Sequence, residues 1–70
     1  MLINNAESAR EFASSWINEA SQGRAARHIR WAIEDLRRGQ ALDDSRRRPR
    51  NKNLEEAIAV LEAALQEVVS

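Results

Sequence analysis

The chain is 70 residues long, its eleven basic and eleven acidic side chains balance to a net charge of zero, and it has no cysteine and one histidine. That length allows one domain, and the composition excludes disulfides, thiolate metal sites, thiol redox chemistry and a structural zinc site. No apolar run is long enough to span a bilayer and no basic-then-apolar start marks a signal peptide, so the chain is read as cytoplasmic, without a membrane partner.

The first expected element is a helix over about 5–21. Asn4 with Glu7 three places on has the spacing of a capping box, which puts the start at Asn4 or Asn5. Ala6, Ala9, Ala13, Trp16 and Ala20 then recur at alternating spacings of three and four, flanked by Phe12 and Ile17. Small residues at most of these positions let another helix come close. Gly23 is placed just past the end, where a left-handed backbone is tolerated. One long helix through Gly23 is the alternative. It would cost only about 1 kcal/mol at the glycine, but it would rotate the apolar stripe.

The second helix is expected over about 24–38. At about 100° per residue, Ala25, Ala26, Ile29, Ala32, Ile33 and Leu36 fall within roughly one third of the circumference, a buried stripe of ordinary width. Trp31 points almost directly away, among Arg24, Arg27, His28, Asp35 and Arg38. Arg37 and Arg38 suit the C-terminal end of the helix dipole, and Gly39 reads as a stop. Residues 40–52, QALDDSRRRPRNK, then read as one arginine-rich connection. Asp43-Asp44-Ser45 favours a turn, Pro49 keeps Arg48 out of helical geometry, and the clustered arginines repel one another.

The third helix is expected over about 53–69, with Asn53 and Glu56 forming a second capping box. Leu54, Ile58, Leu61, Leu65 and Val68 make its stripe, widened by Ala57, Val60, Ala64 and Val69. The segment NLEEAIAVLEAALQ resembles the second helix of a tetratricopeptide unit, although no repeat of roughly 34 residues accompanies it. With one proline, two glycines and this periodicity, the fold class is all-α: a small bundle of three helices. A core this short and alanine-rich has little surplus stability, so completion by homodimerisation is expected.

The zero net charge conceals a segregation. Residues 1–23 carry −2, residues 24–52 carry +6 and residues 53–70 carry −4. Acidic and basic helices that screen one another account for this without any partner, and an electrostatic partner is the sharper alternative.

Trp31 is the strongest candidate for contact with another molecule, because tryptophan and arginine are enriched at binding hot spots. Three environments are open to it: beneath the arginine loop or across helix 1 with Arg27 on its ring, in a homodimer, or against a different protein. Trp16 lies on the seam of helix 1 and reads as core. Arg46, Arg47, Arg48 and Arg50 could grip phosphates or carboxylates, but no aromatic residue interleaves with them to stack on bases. His28, the single histidine, reads as a solvated side chain, with a proton switch as the alternative.

Catalysis has no support in motif spacing. No serine–histidine pairing or glycine-rich phosphate loop is present, and Asp43-Asp44 and Glu55-Glu56 are explained by turn and cap chemistry. The expected function is therefore non-catalytic, with no cofactor. It is that of a small regulatory or adaptor protein that docks on another protein and modulates or occludes it, in the manner of small phage or mobile-element inhibitors of host regulators. The partner-binding set is Arg24, Arg27, His28, Trp31, Asp35, Arg38, Arg46, Arg47, Arg48 and Arg50. The alternative is a small DNA-binding regulator that uses helix 24–38 and the 46–50 loop. Zero net charge and an acidic third helix make that the weaker reading.

Overall fold

A computed structural model describes residues 2–69. Three helices form, α1 (Ala6–Glu19), α2 (Gln22–Ser45) and α3 (Lys52–Val69), and the described residues contain no strand. The all-α, three-helix architecture expected from the periodicity is the one observed. α3 is the element against which both other helices pack most closely.

The helix boundaries follow local hydrogen-bond chemistry, and several differ from the sequence-based expectation. α1 is capped by Asn5, whose side chain accepts from the Ser8 amide at 2.9 Å while the Ser8 hydroxyl accepts from the Asn5 amide at 3.2 Å. The capping box is therefore Asn5 with Ser8, not Asn4 with Glu7. A short hydroxyl three residues on closes the reciprocal bond as well as a longer carboxylate would. The break between α1 and α2 falls at Ala20 and Ser21, ahead of Gly23. Ser21 caps α2 by accepting from the Arg24 amide at 3.4 Å, so Gly23 sits in the first turn of α2 and needs no left-handed backbone. The Gln22 side-chain amide donates to the Val68 carbonyl, which ties the start of α2 to the last turn of α3. At the other end, the Asn51 side chain accepts from the Asn53 amide at 3.0 Å, so α3 starts at Lys52 and Asn53 lies inside it.

The largest correction concerns α2. It passes straight through Gly39 and ends at Ser45, so the expected connection over 40–52 shrinks to residues 46–51. One interior glycine costs about 1 kcal/mol, too little to end a helix whose flanking residues all favour continuation. The actual terminus is a Schellman motif. The Arg48 amide reaches the Asp43 carbonyl at 3.0 Å, the Arg47 amide reaches the Asp44 carbonyl at 3.1 Å, and Arg47 takes the left-handed conformation with φ 56°. Two carboxylates, Asp43 and Asp44, thus lie in the last turn, where the helix dipole disfavours negative charge. Arg48 and Arg50 answer them at 3.8 and 3.6 Å, and Arg50 also bonds Glu55 of α3 at 3.0 Å.

Two expected results follow from this path. A Cβ at Gly39 would meet nothing within 4 Å, so Gly39→Ala should stabilise the fold by about 0.5–1 kcal/mol, read as a higher urea midpoint. Arg47 occupies a position suited to glycine, so Arg47→Gly should stabilise by about 1 kcal/mol. An unchanged thermal midpoint would count against the Schellman end of α2.

The core is built from Ile29 and Ile33 of α2, Ile58 and Leu61 of α3, and a set of enclosed alanines: Ala9, Ala13, Ala25, Ala32 and Ala57. Alanines at these positions bring the helix axes close, as the small-residue seam of α1 implied. Leu36, Leu54, Leu65, Phe12 and Trp16 pack around this centre. No polar or charged side chain is buried among the described residues. Arg37 of α2 pairs with Glu62 of α3 at 2.9 Å, both more than half or nearly half exposed, so this bridge is worth at most about 1 kcal/mol. It is one place where the basic and acidic helices do neutralise each other.

Candidate association surface on helix α2

α2 has two faces because its sequence has two stripes. The inner stripe, Ala25, Ala26, Ile29, Ala32 and Ile33, is buried against α1 and α3. On the opposite side Trp31 stands 62% exposed, an unusual position for the largest apolar side chain. Arg24, Arg27, Asp35 and Arg38 surround it and are all exposed. The structure thus places the ring in solvent, neither beneath the arginine connection nor across α1.

The unbroken course of α2 adds a residue that sequence reasoning missed. Leu42 falls within the expected 40–52 connection, yet it lies on the helix three turns beyond Trp31. It shares Trp31's side within roughly 20° at 100° per residue. It is 50% exposed. The outer face of α2 therefore carries two large apolar side chains, with Asp35 and Arg38 between them. The signal was present in the sequence as the eleven-residue spacing, and it was hidden by taking Gly39 as a stop.

His28 is placed differently from expectation. Its imidazole is half-buried and stacks on the Trp16 indole of α1, with ring centroids 3.7 Å apart and planes 7° from parallel. Phe12 meets Trp16 edge-on, with ring centroids 6.4 Å apart. Three rings therefore join α1 to the first half of α2, and His28 belongs to the support of the exposed face more than to the face itself. An open depression of about 390 Å³ lies alongside, lined by Phe12, Ser15, Trp16, Glu19, Ala20 and Arg24. Arg24 is thus shared by this depression and the Trp31 face.

The arginine cluster divides. Arg48 and Arg50 are engaged by Asp43, Asp44 and Glu55, whereas Arg46 and Arg47 contribute backbone amides to the end of α2 and extend exposed side chains. Of the phosphates or carboxylates that these arginines could grip, the chain's own carboxylates occupy Arg48 and Arg50. The four guanidinium groups are accordingly not a single open clamp.

Among the described residues no group of three or more histidine, cysteine, aspartate or glutamate side chains gathers as metal ligands would, and no helix is long and apolar enough to cross a membrane. No family model matches the sequence, and neither a curated protein nor a solved structure does.

Proposed function

We propose that this chain is a small non-catalytic regulatory or adaptor protein whose working surface is the outer face of α2, and that it acts by docking that face on another protein and modulating or occluding it. The observation that carries the reading is the exposure of Trp31, reinforced by Leu42 on the same side of the helix. A rigid indole on a well-formed helix buries a large area at small entropic cost, and flanking arginines add bidentate contacts to carboxylates. The surrounding charge is mixed, with Asp35 among Arg24, Arg27 and Arg38. This suits a partner surface that pairs apolar patches with charges of both signs better than it suits a uniform polyanion.

The domain's size points the same way. Chains below about 70–80 residues that lack disulfides and metals commonly draw stability from an associated molecule. The engagement of Arg48 and Arg50 within the chain further weakens the nucleic-acid alternative.

The test is paired affinity capture from the native host's lysate with wild type and Trp31→Ala, accompanied by gel-shifts with random duplex DNA at two ionic strengths. The expected result is a protein retained by wild type and lost from a Trp31→Ala variant of unchanged helicity, with no firm DNA shift. Firm DNA binding that falls steeply with salt would replace this reading with the DNA-binding one.

A further inference from the structure

The outer face of α2 has an internal order that exposure alone does not require. Residues 24, 28, 31, 35, 38, 42 and 45 recur at alternating spacings of four and three along nearly the whole helix. Any face of an α-helix recurs in this way; what sets this one apart is that it carries the exposed Trp31 and Leu42 with the exposed Asp35 and Arg38 between them. The bundle's own core residues on α2 lie on the other side, and within this series His28 is already covered by Trp16 of α1, which leaves Trp31, Asp35, Arg38 and Leu42 exposed.

The order of side chains along the series selects a partner. It runs Arg24, His28, Trp31, Asp35, Arg38, Leu42, Ser45. Laid parallel on a second α2, Asp35 would face Asp35 and Arg38 would face Arg38. Laid antiparallel about a two-fold axis between Asp35 and Arg38, Trp31 meets Leu42 of the second copy and Asp35 meets Arg38, each contact made twice. A slip of one heptad in either direction destroys the match: it sets Trp31 against Asp35, or Arg38 against Leu42. One register alone therefore joins apolar to apolar and anion to cation.

We propose that a second copy of this chain covers the outer face of α2, as an antiparallel α2–α2 pair in this register. The contact is isologous, so it closes at two copies and builds no filament. The inference rests on the reading of this face as an association surface. It adds that in the absence of a target the face is closed by its own kind, so that target and second copy compete for Trp31.

The experiment is sedimentation equilibrium of the full chain from low micromolar to several hundred micromolar, on wild type, Asp35→Arg, Arg38→Asp and the double variant. Helicity is checked on each by circular dichroism, and since both positions are exposed the fold should survive. Wild type is expected to rise from the 8.0 kDa monomer towards twice that mass. Each single swap turns two attractive pairs repulsive and should weaken association about tenfold. The double swap should restore it, because the antiparallel register exchanges the signs of both partners. A monomer at every concentration, single swaps without effect, or a double variant no tighter than the singles would overturn the proposal. The two readings fail separately: a strictly monomeric chain leaves Trp31-dependent capture of a target intact, and a capture indifferent to Trp31→Ala leaves the charge-swap result intact.

Discussion

Leu61→Ala is expected to lower the stability of the fold by about 2–5 kcal/mol, enough to leave much of the chain unfolded at 37 °C. Leu61 and Ile29 are the two largest side chains that are wholly enclosed, one from each of α3 and α2. Removing the isobutyl group takes away its transfer free energy and leaves a cavity that the surrounding helices fill only in part. A 70-residue domain held without disulfides has only a few kcal/mol in reserve. Urea denaturation followed by far-UV circular dichroism checks the effect. A midpoint close to wild type would mean that Leu61 is not at the centre of the bundle.

Ala57→Leu should also destabilise the fold, by a smaller amount and for the opposite reason. Ala57 is completely enclosed on α3, at a position where a methyl group fills the space between close helices. Three additional carbons must force side chains off their rotamers or push the helices apart, at about 1–3 kcal/mol. Leucine and alanine are both good helix formers, so propensity does not confuse the comparison. Ala59, two residues along and exposed, supplies the control: Ala59→Leu should stay within about 0.5 kcal/mol of wild type. Equal effects at residues 57 and 59 would show that alanine at 57 is not a packing requirement.

How much of this was legible in the sequence depended on which physical signal governed each stretch. The inner stripes of all three helices were readable because burial repeats at the helical period, and the stripe of α2 is enclosed essentially as the helical wheel places it. The end of α2 was not readable from punctuation. Gly39 and the Asp43-Asp44-Ser45 run resemble a stop and a turn, yet an isolated glycine is a small penalty beside a helix of 24 residues.

The candidate surface was legible only in part for the same reason. Trp31 and its arginines follow from the wheel, but Leu42 joins them only when α2 is carried to its true end. His28 shows a different gap. It lies roughly 60° around the helix from Trp31, at the edge between the two faces. Whether such a residue is solvated or covered depends on what a neighbouring helix places there. Trp16 of α1 covers it, a contact between elements that periodicity within one element does not encode. The partners of the arginine cluster are not legible in the sequence, because its counter-charges, Asp43, Asp44 and Glu55, are brought to Arg48 and Arg50 by the cap of α2 and the start of α3.

The measurement that bears most directly on the outer face of α2 is the accessibility of the Trp31 ring itself. In a Trp16→Phe variant, which keeps an aromatic ring beside His28, Trp31 is the sole indole, and its fluorescence quenching by acrylamide can be followed against protein concentration. The ring should quench readily when the chain is dilute, as its 62% exposure requires, then become protected as concentration rises, with helicity unchanged throughout. A ring already shielded in the most dilute sample, or one equally open at every concentration, would contradict the account.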